Sequence, residues 1–140
     1  MRKKLLIAVI ALVIIASIIG GYCVFNNVCP KANKIISPDI ENIFSASVTC
    51  NDGDEFVISN SDFEELILNI NNAKPTRRKS LNDYPTVRPY YTVIIETTQK
   101  QYHYFVYEEG SHVYIEIPYE GIYMSDEQTI DLLIKYYEER

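Results

Sequence analysis

Residues 5–25, LLIAVIALVIIASIIGGYCVF, run for 21 positions without a charge, directly after Arg2, Lys3 and Lys4. A helix over that run is roughly 31 Å long, about one hydrocarbon core, so it reads as a transmembrane anchor or uncleaved signal. The basic tip at 1–4 has no equal cluster after the run, which places the N-terminus inside and residues 26–140 outside the cell membrane, in a single-pass arrangement. The rest of the chain is read as extracytoplasmic.

A cleaved signal and a retained anchor begin alike. A secretory peptidase needs small residues at the first and third positions before its cut, and Gly21 with Ile19 offers a mediocre version of that pattern. A lipoprotein signal needs a small residue just before the lipidated cysteine, whereas Cys23 follows Tyr22, with Gly20 and Gly21 close by. A retained span is favoured, with a lipoprotein or a secreted protein as the alternatives.

Three of the thirteen Lys and Arg residues precede the span, leaving ten against nineteen Asp and Glu, a net charge of −9 on the outward part. Such a surface repels nucleic acid and anionic lipid before contact, so neither is expected as a partner of the domain. The 111 residues from Pro30 onward suffice for one domain with its own core and are too few for two. Three cysteines in an oxidising compartment cannot all pair within one chain. Cys29 with Cys50 is the pairing that staples linker to domain, and the alternative is that each cysteine is a small apolar residue or an unpaired thiol.

Residues 26–39 mix Asn, Lys and Pro without periodicity and read as a linker before a domain at 40–140. Phe44, Ala46, Val48 and Cys50 then alternate with small polar residues, and Phe56 and Ile58 alternate again after Asn51-Asp52-Gly53-Asp54. Both sets share one face if the loop holds an odd number of residues, as in a hairpin whose three-residue turn has Gly53 left-handed. The acidic turn fails calcium-loop spacing and lacks the distal Glu. Ser61-Asp62-Phe63-Glu64 has the form of a capping box opening a helix over about 62–72. The proline-bearing stretch 73–89 is long for a connection and is either functional or a solvated, mobile loop; its Arg77, Arg78 and Lys79 form a basic run for an anionic partner.

Strands follow at about 90–98, 101–107 and 112–117, with Val93, Ile95, Tyr104, Val106, Val113, Ile115 and Ile117 on the core face. On the reverse face, Glu96, His103 and Glu116 are expected in one row, and His112 opposite Tyr107, next to Tyr114. Pro118–Tyr123 reads as a turn in which Gly121 takes a positive φ. Ser125-Asp126-Glu127-Gln128 opens a final helix that turns Ile130, Leu133, Ile134 and Tyr137 inward. The predicted class is α+β: an antiparallel sheet of about five strands in the order hairpin, helix, three-stranded meander, helix, behind one N-terminal transmembrane helix.

The run NNAKPTRRKSLNDYP after a short helix, followed by YIEIPYEGIY and a closing helix behind one apolar segment, resembles the small membrane-attached proteins of Gram-positive bacteria grouped as domain of unknown function 5301. The resemblance covers about residues 40–137. It implies a cell-surface location and an α+β domain, and it assigns no activity and no functional residues.

Glu96, His103 and Glu116 are the sharpest chemical candidates, since two carboxylates beside an imidazole suit a divalent metal or proton transfer. Cross-strand charge pairs on a wet face have the same signature and are commoner. No phosphate cradle, paired CxxC, HExxH or serine nucleophile elbow occurs, and no cofactor is expected. The favoured function is a non-enzymatic module that binds a protein, peptide or cell-envelope partner through the tyrosine-bearing face or the 73–89 loop. The alternative is an extracytoplasmic hydrolase or metal-dependent enzyme using His103 with Glu96 and Glu116. An accessory subunit of a membrane complex has little support, because Gly20-Gly21 permits close helix approach only at the outer end of the span.

Overall fold

In the computed structural model, which describes residues 2–51 and 53–138, the chain forms two compact units, Met1–Lys31 and Ala32–Arg140. The first is one helix, α1 (Arg2–Val28), which continues three residues past Phe25. Its stretch Leu6–Val28 is 23 residues long with a mean hydropathy of 2.7, and its most apolar window is nowhere buried inside the protein. Ser17 turns its hydroxyl back to the Val13 carbonyl at 2.9 Å, so this polar group is satisfied within the helix.

The second unit contains β1 (Ile43–Cys50), β2 (Glu55–Val57), α2 (Phe63–Asn72), β3 (Lys74–Pro75), β4 (Tyr90–Thr97), β5 (Gln101–Glu109), β6 (His112–Ile117), β7 (Gly121–Ser125) and α3 (Glu127–Glu138). The strands form one sheet in the order β2-β1-β4-β5-β6-β7-β3, and every neighbouring pair is antiparallel. The class is α+β, with seven strands rather than about five. The additional strands are β7, which occupies residues taken from sequence for the end of a turn, and β3, which pairs with it.

Alternation along the strands sends Ala46, Val48, Val93, Ile95, Val106 and Ile115 to one face, where they meet Phe63, Leu66 and Ile70 of α2 and Ile130 and Leu133 of α3. Ile115 and Leu133 are both 0% exposed. Phe44 departs from this alternation. A bulge between Ile43 and Ser45 turns it outward, 63% exposed.

The first hairpin has the expected parity, with Val48 opposite Phe56 and the Ile58 N–H donating to the Ala46 carbonyl at 2.8 Å. Its left-handed residue is Asn51, φ 47, rather than Gly53, because asparagine's short polar side chain tolerates that region. Gly53 answers a different need: a Cβ there would stand 2.9 Å from the Cys50 carbonyl oxygen. Asp52 and the side chain of Tyr137 lie outside the described residues.

The capping box at 61–64 does not form from Ser61. A 3-10 turn at Asn60–Asp62, capped by Ser59, precedes α2. Asp62 directs its carboxylate to the Tyr136 hydroxyl and to Lys135 Nζ, the latter at 3.0 Å, and so clamps the start of α2 to the end of α3. The Tyr136 hydroxyl also accepts from the Ser59 N–H at 3.0 Å. These donors, Tyr136 foremost, hold the Asp62 carboxyl below its usual range.

The domain begins earlier than residue 40. Ile35 and Pro38 are buried, Ala32 N–H donates to the Thr76 carbonyl at 3.0 Å, and the Ser37 hydroxyl donates to Asn71 at 3.0 Å. Gly121 serves this docking rather than a positive φ, since a Cβ on it would lie 2.6 Å from Ala32 Cβ. The left-handed residue of that turn is Tyr119, φ 63.

Candidate functional site

The reverse face of the sheet carries the residues expected there, in a different register. Glu96 stands opposite Gln101, to whose side chain it is hydrogen-bonded, and His103 stands opposite Ile94. Glu116 stands opposite Phe105, Tyr107 opposite Tyr114, and His112 opposite Glu109. The row Glu96–His103–Glu116 therefore does not form. The loop closed by Glu96 and Gln101 holds four residues, 97–100, fixed by Thr97, whose hydroxyl accepts the Lys100 N–H at 3.2 Å. The β5–β6 turn is the tight pair Gly110-Ser111, with Gly110 at φ 67. Each hairpin is thus displaced by two residues from expectation, which preserves every facing and changes every neighbour.

Much of the 73–89 stretch is exposed, but it is tied to the sheet. Residues 76–89 lie across the reverse face, held by hydrogen bonds from Thr76 N–H to the Ile122 carbonyl and from Ile122 N–H to the Arg78 carbonyl, both at 3.2 Å. Beneath them Tyr90, Phe105 and Tyr107 form a second small core, with Val87 and Tyr114 at its margin. Tyr84 and Tyr90 each bring their rings to 5.7 Å from that of Phe105.

Glu116, 6% exposed, lies under this cover. The buried Ser80 hydroxyl donates to its Oε1 at 2.7 Å and the Tyr107 hydroxyl to its Oε2 at 3.2 Å. Burial foremost, then the Glu116 charge, pushes the Tyr107 hydroxyl above its usual pKa, so it stays a donor. The Ser80 bond latches the loop to the sheet, while the Tyr107 bond, between β5 and β6, holds the carboxylate in place. Within the basic run, Arg78 lies 4.9 Å over the Tyr114 ring and pairs with Glu109, which commits that cation to the domain, while Lys79 is exposed. His112 is on the surface beside Ser111 and Tyr114.

His103 belongs to another place. Pairing with β6 begins at Phe105, whereas β4 accompanies β5 from Gln101, so residues 101–104 have a strand on one side only. Beside this overhang lies a recess of about 380 Å³ whose lining includes Lys34, Lys100, Tyr102, His103, Tyr104 and Glu120. Lys100 Nζ sits 4.2 Å from the centre of the Tyr102 ring, and the rings of Tyr102 and Tyr104 stack at 6.5 Å. Tyr104 is 2% exposed, its hydroxyl has no hydrogen-bond partner, and burial raises its pKa. Two lysines against one glutamate reverse, locally, the sign of an acidic domain.

Lys34, Lys100, Tyr102 and Tyr104 were not legible as a site from sequence. The signal that points to them is the tight turn at Gly110-Ser111: once it is fixed, a nine-residue β5 must outrun a six-residue β6.

Cys50 carries a free thiol. Burial pushes the Cys50 thiol up, which keeps it protonated. Among the described residues no group of three or more His, Cys, Asp or Glu is arranged to hold a metal ion.

The fold has a counterpart. A solved structure described as "NMR structure of the protein from Ruminococcus gnavus" is similar at 30% identity and a TM-score of 0.56, over 66% of this chain and 91% of that one. No curated protein matches. The family model DUF5301, described as "Domain of unknown function (DUF5300)", matches residues 31–124, from the segment that docks on Gly121 through the loop-covered face to β7. The match spans well over half of the sequence, and the chain belongs to that family.

Proposed function

We propose that this is a single-pass membrane protein, N-terminus inside, that holds its α+β domain outside the membrane as a non-enzymatic interaction module at the cell envelope. One observation carries the anchor reading: the most apolar window of Leu6–Val28 is nowhere buried, and a helix of that length and hydropathy is stable with lipid around it. Arg2, Lys3 and Lys4 ahead of it favour retention of that end inside. The interaction reading is supported by the recess beside His103, which combines an open strand edge, aromatic walls and two lysines. The alternative enzyme needs Glu96, His103 and Glu116 to converge, and their register separates them.

Protease added to intact cells carrying a C-terminally tagged chain should remove the tag and leave a small membrane-bound fragment. A tag that survives on intact cells and is lost only on lysis defeats the orientation. A mature N-terminus near Val24, or a lipid on Cys23, defeats the retained span.

A further inference from the structure

We propose that the overhang of β5 is a strand-addition site, where an extended acidic segment of a partner protein pairs with the free edge of residues 101–104 and sets its carboxylates against Lys34 and Lys100. The inference rests on the reading of the domain as an interaction module and names the class of its partner.

The backbone supplies the first argument. β4 pairs with β5 from Gln101 through Tyr107, but β6 joins only at Phe105. No backbone hydrogen bond from the neighbouring segment 33–36 crosses to residues 101–104. An unpaired strand edge presents alternate N–H and C=O groups, which is the template that an added strand uses. Four residues at about 3.3 Å each give the newcomer about 13 Å of edge.

Shape supplies the second. The recess is bounded on its far side by Asn33, Lys34 and Ile36, so an incoming strand is flanked rather than laid on an open surface. Its volume, about 380 Å³, lies within the roughly 300–1,000 Å³ of ordinary ligand pockets. Tyr104 lines the same recess.

Charge selects the occupant. Lys34, Lys100 and His103 stand against Glu120 alone among the ionisable groups of the lining apart from its tyrosines, on a domain whose overall charge is negative. Lys100 is set in place by the Tyr102 ring beneath it and by the hydrogen-bonded turn at 97–100. A basic segment meets like charge here. An acidic one meets two ammonium groups in the same recess.

The test uses the full-length protein in detergent micelles and fluorescence anisotropy with three labelled seven-residue peptides: one alternating glutamate and valine, its lysine–valine counterpart, and the glutamate peptide with methylated backbone amides. The acidic peptide should saturate, and the other two should bind at least tenfold more weakly. The double variant Lys34→Glu with Lys100→Glu should lose at least tenfold for the acidic peptide and gain for the basic one, a gain that also reports an intact fold. Amide exchange within residues 101–104 should slow when the acidic peptide is added.

Equal affinity for acidic and basic peptides, indifference to amide methylation, or no saturation by the acidic peptide overturns the proposal. Self-association that blocks the peptide and disappears in the double variant also overturns it, giving the edge to a second copy of the chain. Peptide binding by a protein whose domain proves cytoplasmic defeats the outward orientation and leaves this site standing. An outward-facing domain that ignores the peptide defeats this site alone.

Discussion

The two faces of the sheet are covered by different means. On one, α2 and α3 lay aliphatic residues onto Val48, Ile95 and Ile115, with no side-chain hydrogen bond needed at the centre of the contact. On the other, an irregular segment lies over Tyr90, Phe105 and Tyr107 and is fastened by the Ser80 hydroxyl on Glu116, a carboxylate that Tyr107 also bonds from within the sheet. Helices satisfy their own backbone and can seal a face with apolar contact alone. A loop has no internal ladder, so it must find partners in the sheet, and its cover is rich in specific bonds. The helical side should therefore govern global stability, and the loop side a local closure.

The largest effect tests the helical side. Leu133→Ala or Ile115→Ala should cost about 2–5 kcal/mol in urea unfolding, because each leaves a cavity in close-packed surroundings. Losses under half a kcal/mol at both positions would place the main core elsewhere.

Next comes the latch. Glu116→Ala leaves two buried hydroxyls without their acceptor and should cost about 1–3 kcal/mol, and amide exchange should accelerate across residues 76–89 before it does in α2 and α3. Uniform acceleration through the sheet and helices would show that the two covers are one cooperative unit.

A smaller effect concerns the clamp between the helices. The folded-state pKa of Asp62 is depressed, so its contribution is present above the unfolded value near 3.8 and is lost as pH falls through the lowered one. Asp62→Asn should flatten the acid limb of the stability profile and remove about 0.5–1 kcal/mol at neutral pH. An unchanged acid limb means that the carboxylate does not favour the folded state.

The smallest belongs to His103. His103→Gln should change stability by about 0–1 kcal/mol, because the side chain is exposed and lies opposite Ile94 rather than a carboxylate. A loss comparable with that of Glu116→Ala would reveal a partner that the register does not supply.

Periodicity made the helical side legible. The 2-residue repeat of Val93, Ile95, Val113 and Ile115 and the helical repeat of Phe63, Leu66, Ile67 and Ile70 each identify a buried face before any contact is known. The loop side was hidden because a segment such as TRRKSLNDYP has no period, and its fit depends on hydrogen bonds to groups far along the chain, such as Thr76 to Ile122. Facing was readable for Glu96, His103 and Glu116 while neighbourhood was not, since parity survives a two-residue change in turn length and row alignment does not. Phe44 was lost to a bulge, which inserts a residue without any mark in composition.

The strand order also bears on how the chain is made. β4 through β7 form a run of neighbours joined by short turns, whereas β1 must wait for β4 across some forty intervening residues, and β3 for β7 across a similar span. During synthesis β1 therefore emerges with only the three residues of β2 to pair with. Until residues 90–97 appear, its other edge is an open template of Phe44, Ala46 and Val48, the interval in which a nascent chain is most exposed to pairing with a stranger.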